Sequence, residues 1–167
     1  MNTRLMTTAF LFNDGRILML KRAANRKIAP GLWTGVGGHL EPEEINNPEQ
    51  ACIREIYEET GIVKEELADL KLRYILIRLK GTEIREQFVY FGKTYKEEVM
   101  DTVEGDLHWV RRDVINTLEM PWSIQTMFEH YFEIGRETMK SYVGVMTVHS
   151  DGNPLMNWTE LTDPVKV

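Results

Sequence analysis

The chain has 167 residues, a length that favours one domain with a full hydrophobic core. Its formal net charge of −6 leaves no basic surplus to neutralise the phosphates of a nucleic-acid polymer or an anionic membrane surface. Cys52 is the only cysteine, which excludes an internal disulfide, and the lack of Cys and His pairs at ligand spacing disfavours zinc. A polyanionic ligand must therefore be bound through local cations or a metal.

The sequence contains no apolar run long enough to cross a membrane, and its first residues lack the charged-then-apolar pattern of a secretion signal. We therefore expect a cytoplasmic protein that makes no contact with membranes. There is also no internal repeat, low-complexity stretch or linker, so we expect residues 1–167 to form a single domain.

The first predicted element is a β-hairpin. Residues 3–12 and 16–21 read as apolar strands around Asn13-Asp14-Gly15, whose Asp-Gly pair is typical of a hairpin turn. A basic cluster then precedes Pro30-Gly31; its members are Lys21, Arg22, Arg26 and Lys27. This cluster is either solvated or attracts phosphate groups toward a neighbouring site.

Residues 48–60 have the signs of a helix. Asn47 is the predicted N-cap, Pro48 takes the first helical position, and Gly61 suits the end. At the helical period one side carries Cys52, Ile53, Ile56 and Thr60, and the other carries Ala51, Glu55, Glu58 and Glu59. The single thiol, on the apolar side, is expected to be a core group rather than a nucleophile.

The three glutamates of this helix repel one another by a few tenths of a kcal/mol per pair, and only Arg54, turned partly aside, lies near them. The ordinary interpretation is a solvated acidic face. The alternative is a site for a hard divalent cation, because Mg²⁺ takes oxygen ligands and its charge removes the repulsion. The preceding Gly37-Gly38 favours the alternative, since two glycines let the backbone approach a ligand closely, and Glu41 and Glu44 add carboxylates nearby.

This segment resembles the Nudix box of the Nudix hydrolase (MutT-like) family, written Gly-x5-Glu-x7-Arg-Glu-(apolar)-x-Glu-Glu-x-Gly-(apolar). Residues 38–62 fill every defined position, with Gly38, Glu44, Arg54, Glu55, Ile56, Glu58, Glu59, Gly61 and Ile62. One departure is that nine residues rather than seven separate Glu44 from Arg54. We place the two extra residues in the loop at 45–47, where an insertion leaves the phase of the helix intact.

The resemblance implies an α/β fold, the α/β/α sandwich with a mixed β-sheet that Nudix relatives share. It also implies hydrolysis of a nucleoside diphosphate linked to another group, by attack of water on phosphorus. Carboxylates holding Mg²⁺ neutralise the phosphate oxygens and make the water nucleophilic. Mg²⁺ is therefore the implied cofactor, with Mn²⁺ as a substitute.

The implied metal ligands come from three parts of the chain. Glu58 and Glu59 are the principal ligands, and Glu55 is either a third ligand or the general base. The Gly38 backbone carbonyl and Glu104 complete the implied set.

Other box residues are assigned to catalysis or structure. Arg54 joins the three helix glutamates in the predicted catalytic group. Arg54 and Glu44 are expected to pair with each other or with a box carboxylate and so hold the loop on the helix. Gly61 and Glu44 are the structural positions of the box.

Glu104 lies in an acidic stretch, residues 96–106, that reads as a loop before a strand at 107–110. On the residues alone it is a solvated loop carboxylate. In several Nudix branches a carboxylate five residues before the corresponding Trp reaches back to the metal site, and Glu104 holds that position relative to Trp109. His108 on this strand is expected to be structural.

Several residues are candidates for substrate contacts. Lys21 and Arg22 would receive phosphates, and the resemblance makes Thr34 a candidate for a polar contact to a base, with Trp33 in the core. Two further strands are predicted at 69–79 and 84–95. On the second, Phe88 and Tyr90 share one face; they either stack on a base or belong to the core.

The last part of the chain predicts a helical turn at 113–118, a helix at 121–134 and a β-hairpin at 139–161 within the same domain. The hairpin resembles the closing strands of the branch that contains oxidised-purine nucleoside triphosphatases. In that branch the loop before the helix reads the base, so Trp122 is either a base contact or a core residue. Two aspartates follow the matching Trp of the mammalian enzyme, whereas Ser123-Ile124 follow here.

The predicted reaction converts a purine nucleoside triphosphate, such as the oxidised 8-oxo-dGTP, to monophosphate and pyrophosphate. Two alternatives stay open: a Nudix hydrolase acting on ADP-ribose, a nucleotide sugar or capped RNA, and a catalytically silent nucleotide-binding module. The expected partner is a small-molecule nucleotide rather than a nucleic-acid polymer. The sequence leaves a homodimer open.

Overall fold

The computed structural model describes residues 1–25, 29–100 and 102–164. Among these residues it contains eight strands and two α-helices. The strands are β1 (Asn2–Asn13), β2 (Arg16–Arg22), β3 (Trp33–Thr34), β4 (Leu67–Lys80), β5 (Glu83–Thr94), β6 (Gly105–Arg111), β7 (Tyr142–Val148) and β8 (Pro154–Glu160). The helices are α1 (Pro48–Thr60) and α2 (Trp122–Glu133), with short 3-10 turns at Pro42–Glu44, Lys64–Glu66, Arg112–Thr117 and Gly135–Glu137.

The strands form one mixed sheet. Its order is β3-β2-β1-β5-β4-β7-β8, and β6 pairs with β2. Strand β1 is parallel to β5, and β4 is parallel to β7, whereas the other pairs are antiparallel. Because β7 pairs with β4, the C-terminal hairpin belongs to the same sheet.

Each face of the sheet carries one helix and one hydrophobic core. The core on the α2 side contains Val89 and Phe91 of β5 together with Phe128 of α2. The core on the α1 side contains Tyr90 of β5 together with Ile56 of α1. Alternate residues of one strand thus enter opposite cores, and the predicted α/β/α sandwich is confirmed.

Helix α1 spans the predicted residues. The Asn47 side chain accepts a hydrogen bond from the Gln50 N–H, and Gly61 ends the helix in the left-handed conformation with φ 74°. Ala51 and Glu59, predicted on the open side, are instead buried. The sequence pattern failed there because α1 packs against both β1 and the loop at Gly37-Gly38, which covers a wider arc than its apolar side.

The other elements follow the prediction with shifted ends. The C-terminal hairpin runs from Tyr142 to Glu160 rather than over residues 139–161. Neither helix among the described residues is long and apolar enough to span a membrane. Arg26 and Lys27 of the predicted basic cluster lie outside the described residues.

Candidate active site

The candidate site is built where the Gly37-Gly38 loop passes between β1 and α1. The loop runs antiparallel to β1, and the Thr7 N–H donates to the Gly38 carbonyl at 2.9 Å. A Cβ at Gly38 would overlap the Glu55 carboxylate. Glycine at this position therefore lets a carboxylate of α1 lie directly against the backbone, and a larger residue would displace the Glu55 side chain.

Glu59 is the most enclosed of the three carboxylates that α1 contributes, Glu55, Glu58 and Glu59. Only 7% of its surface is exposed, and its Oε2 accepts a hydrogen bond from the Gly37 N–H at 2.7 Å. Burial raises the pKa of Glu59 to about 7, and the Gly37 N–H and the nearby Arg22 guanidinium oppose that rise. Burial likewise raises the pKa of Glu55.

Arg54 links the loop to the helix through three carboxylates. Its Nε and Nη2 donate to the two oxygens of Glu44, both at 2.8 Å, in the two-pronged geometry that suits a guanidinium. Its Nη1 donates to Glu55 at 2.9 Å and to Glu58 at 3.1 Å. The predicted pairing with Glu44 is confirmed, but Arg54 is not turned aside from the helix glutamates.

Glu44 shows how the chain accommodates the two extra residues. The 3-10 turn at Pro42–Glu44 places its side chain, which is 5% exposed, and the carboxylate accepts the Glu41 N–H at 2.9 Å. The Arg54 hydrogen bonds lower the pKa of Glu44. The chain then makes an exposed turn at Ile45 before α1 begins, so the insertion leaves the Glu44–Arg54 contact intact.

Glu104 reaches the same corner from the loop before β6. Arg22 Nη2 donates to Glu104 Oε2 at 3.0 Å, and the Ala23 N–H donates to the Glu104 carbonyl at 3.0 Å. The Arg22 guanidinium also acts on the pKa of Glu59. Arg22 therefore lies near carboxylates from both α1 and the distant loop.

The residues fit a divalent cation by chemistry, although their side chains do not converge on one point. In the described ranges, no group of three or more His, Cys, Asp or Glu side chains is placed to hold a metal ion. The reason is that these carboxylates already accept hydrogen bonds from other groups, namely from Arg54, from Arg22 and from the Gly37 N–H. Glu55 and Glu59 are nevertheless enclosed oxygen donors that a hard cation would satisfy.

The Gly38 carbonyl has a different partner from the one predicted. It accepts the Thr7 N–H, which uses one of its two lone pairs. Its role as a metal ligand stays a prediction that depends on the second lone pair.

Two predicted substrate residues lie at the edge formed by β2 and β3, beside Arg22. Lys21 pairs with Trp33 across the strands, and its Nζ lies 5.6 Å from the centre of that ring. Thr34 Oγ1 donates to the Gly35 carbonyl at 2.9 Å. Trp33 packs against the α2-side core, as expected from the sequence.

Phe88 and Tyr90 are not brought to the carboxylates. Tyr90 is 4% exposed within the α1-side core, where Phe88 packs against the same cluster. They share one face, as predicted, but that face is covered by packing beneath α1. Cys52 lies in the same core, where burial raises the pKa of its thiol to about 12, as suits a structural group.

The sequence analysis missed a cavity on the α2 side of the sheet. Trp122, which is partly exposed, begins α2, and the next residue, Ser123, lines this cavity. Polar residues from the strands also line it: Arg78, Arg85 and Gln87. The signal was available in the alternation, because Gln87 and Arg85 lie on the same face of β5 as the core residue Val89.

Comparison with known proteins places the chain in a family. Residues 2–131 match the NUDIX domain, so the chain belongs to the Nudix family and is, as predicted, a Nudix hydrolase acting on phosphoanhydride bonds. A nucleoside triphosphatase, NudI, from Enterobacter sp. (strain 638) is 31% identical over 135 residues, which cover 72% of this chain and 90% of that protein. An isopentenyl-diphosphate Delta-isomerase from Corynebacterium diphtheriae is 41% identical over 59 residues, 35% of this chain and 31% of the isomerase.

Solved structures show the same fold. The MutT protein of Bacillus halodurans has a TM-score of 0.73 at 20% identity, covering 96% of this chain and 99% of that one. The MutT protein of Methanosarcina mazei Go1 has a TM-score of 0.69 at 22% identity, covering 81% and 96%. The NUDIX domain of Shewanella oneidensis NrtR, solved with ADP ribose, has a TM-score of 0.61 at 16% identity, covering 82% and 88%.

Proposed function

We propose that the protein hydrolyses a purine nucleoside triphosphate to the monophosphate and pyrophosphate with Mg²⁺, and that Mn²⁺ can replace it. The observation that carries the proposal is the placement of Glu55 and Glu59 against the Gly37-Gly38 loop, with Arg22 at the same corner. Glu58 joins this group through Arg54, which donates to both Glu55 and Glu58. The similarity to NudI, a nucleoside triphosphatase, over most of both chains supports a triphosphate substrate.

A bound Mg²⁺ would neutralise phosphate oxygens and lower the pKa of a water molecule. Glu58, Glu59, Glu104 and the Gly38 carbonyl would hold it. Glu58 is the most open of the helix carboxylates, with 53% of its side chain exposed. It can therefore turn from Arg54 toward a ligand without disturbing the core.

Glu55 is the proposed general base. Its side chain lies against Gly38, and burial raises its pKa, which makes it a better proton acceptor than an exposed glutamate. Arg54 donates to one of its oxygens and fixes its orientation. Glu55 thus accepts the proton of the attacking water from a fixed position.

Local cations bind the phosphates, because the net charge of −6 provides no general attraction for a polyanion. Lys21 and Arg22 lie at the end of β2, and Thr34 of β3 pairs with the residue before them, Leu20. Trp122, at the start of α2, is the proposed base contact. Phe88 and Tyr90 are left out of the proposed contacts because they pack beneath α1.

The test is a product assay with Mg²⁺ on a panel of normal deoxynucleoside triphosphates, 8-oxo-dGTP, ADP-ribose, a nucleotide sugar, capped RNA and isopentenyl diphosphate. We expect pyrophosphate from purine triphosphates, and the ratio of dGTP to 8-oxo-dGTP turnover decides whether the oxidised base is preferred. Formation of AMP from ADP-ribose, or turnover of only the nucleotide sugar or the capped RNA, would show that the site acts on a different Nudix substrate. The absence of any turnover would contradict the proposal.

A cytoplasmic location stays a prediction, and the sequence leaves a homodimer open.

A further inference from the structure

We propose that Arg22 competes with the divalent cation: it neutralises Glu104 in the metal-free protein and is released from Glu104 when a metal ion binds. The inference rests on the proposed function in taking Glu59 and Glu104 to be metal ligands. Arg22 Nη2 donates to Glu104 Oε2 at 3.0 Å, and the two side chains are only 15% and 23% exposed. Solvent therefore screens this ion pair less than it screens a surface pair.

The backbone holds this ion pair at the corner of the site. Arg22 pairs with Gly105 across β2 and β6, and the Ala23 N–H donates to the Glu104 carbonyl at 3.0 Å. A Cβ at Gly105 would overlap the Lys21 carbonyl, so the close approach of the two strands needs glycine. Because these contacts tie down the main chains, the two side chains can separate without unfolding the strands.

Arg22 also acts on a carboxylate of α1. Its charge favours the ionised form of Glu59 and so opposes the rise that burial causes in the pKa of that group. Carboxylates from α1 and from the loop before β6 thus share one guanidinium. A divalent cation bound by Glu59 and Glu104 would neutralise the same charges and repel the guanidinium. The cation and Arg22 therefore compete for one pair of carboxylates.

Arg54 differs from Arg22 because it has partners outside the proposed set of metal ligands. It donates to both oxygens of Glu44 at 2.8 Å and to the His39 carbonyl at 3.1 Å. These contacts involve no metal ligand, so Arg54 stays in place when the cation binds. Glu104, which binds Arg22, belongs to the proposed set. The cation therefore releases Arg22, and the free guanidinium can donate to the phosphates of the substrate.

The test measures how tightly the nucleotide-free protein binds Mn²⁺, from the paramagnetic resonance signal of the free ion. We expect Arg22→Gln to lower the dissociation constant of Mn²⁺ by about tenfold or more, because the cation no longer displaces a hydrogen bond between charged groups. Thermal unfolding without metal establishes that each variant folds.

Arg16→Gln is the matched control. It removes the same charge from the opposite end of β2, where Arg16 pairs with Glu97. The two ends of this strand are about 20 Å apart, which exceeds the screening length at about 0.1 M salt. Arg16→Gln should therefore leave the dissociation constant of Mn²⁺ almost unchanged.

A double-mutant cycle separates the competition from a general effect of charge. Glu104→Gln should weaken Mn²⁺ binding, and the gain from Arg22→Gln should be smaller in that background, because the guanidinium no longer occupies Glu104. A gain of equal size with and without Glu104 would overturn the proposal.

Arg22→Lys is the second variant, and it keeps the charge but loses the planar fork. It should tighten Mn²⁺ binding by less than Arg22→Gln does, and it carries the test if Arg22→Gln does not fold. An unchanged or weaker Mn²⁺ affinity in folded Arg22→Gln, or in Arg22→Lys where the glutamine variant is unfolded, would contradict the competition.

The metal alone is the probe, so this inference and the proposed function can fail separately. If Arg22→Gln binds Mn²⁺ more tightly but the wild-type protein hydrolyses no triphosphate, the competition stands and the proposed function fails. If triphosphates are hydrolysed and the Mn²⁺ affinity does not depend on Arg22, the proposed function stands and the competition is wrong. The competition is also wrong if neither the wild-type protein nor Arg22→Gln binds Mn²⁺ without nucleotide.

Discussion

At the scale of single residues, Arg54 accounts for how three carboxylates coexist on one corner of the protein. It contacts Glu44, Glu55 and Glu58, and the hydrogen bonds that it donates to Glu44 are the main reason that the pKa of Arg54 is raised. Its charge offsets the repulsion that the spacing of the glutamates creates. The same contacts hold the carboxylates apart from a common point, which explains why they do not converge.

Replacing Glu44 tests whether its contact with Arg54 stabilises the fold. Glu44→Gln keeps the shape but removes the charge that faces the guanidinium of Arg54. We expect the free energy of unfolding to fall by about 1–3 kcal/mol, the usual cost of breaking an enclosed charged hydrogen bond, in urea titrations. The control is Glu66→Gln, since Glu66 pairs with Lys96 at the surface and its loss should leave the midpoint almost unchanged. Equal midpoints for both variants would contradict the assigned role.

At the scale of elements, α1 is defined by its ends. The Asn47 cap, Pro48 and Gly61 are local signals, and they predicted both bounds of the helix correctly. Gly61 is in the left-handed conformation, and a Cβ there would press against the Met100 side chain. The end of the helix therefore depends on glycine for two independent reasons.

Gly61→Ala should consequently destabilise the protein by about 1–2 kcal/mol, the usual cost of a left-handed residue with a side chain. Urea unfolding measures this change. Gly61→Asn is the comparison variant, because Asn tolerates the left-handed region better, and it should lose less stability than Gly61→Ala if the backbone term dominates. A larger loss for Asn would assign the effect to the crowding by Met100 instead.

Contacts between elements that are distant in sequence could not be predicted from the sequence. The alternation along β5 predicted which residues share a face, but not which helix covers that face, so Tyr90 was offered as a base contact although it lies beneath α1. Glu59 looked exposed because the loop at Gly37 that covers it is distant in sequence. The cavity on the α2 side, which Ser123 lines, needs the parallel pairing of β4 with β7, which local patterns do not encode.

At the scale of the whole molecule, the two faces of the sheet carry different groups of side chains. The α1 side carries the carboxylates, and the α2 side carries an aromatic cluster that joins α2 to the C-terminal hairpin. His130 of α2 lies in this cluster, with its Nδ1 3.0 Å from the Tyr74 hydroxyl and its ring against Trp158. The cluster thereby connects three elements that the chain order keeps apart.

This cluster predicts a pH dependence of stability. Burial lowers the pKa of His130 from its ordinary 6.5, so the unfolded chain binds the proton more readily. The contribution of neutral His130 is therefore complete above the unfolded pKa and is lost as the pH falls toward the folded value. Glu59, whose raised pKa acts in the opposite direction over the same range, is present in both the wild type and His130→Gln, so the difference between the two proteins isolates His130. We expect the stability advantage of the wild type over His130→Gln to decrease between about pH 7 and pH 5, in urea titrations at each pH. Parallel slopes would exclude His130 as the cause.

The central claim is that the α1 carboxylates direct water to a phosphorus of a nucleoside triphosphate. The most direct measurement is turnover of dGTP with Mg²⁺ in ¹⁸O-labelled water, for the wild-type protein, Glu58→Gln and the matched control Glu49→Gln, which changes an exposed carboxylate in the first turn of α1. We predict dGMP and pyrophosphate with one labelled oxygen between them, a turnover reduced by at least about 100-fold in folded Glu58→Gln, and normal turnover in Glu49→Gln. Release of orthophosphate, or near-normal turnover in Glu58→Gln, would contradict the account.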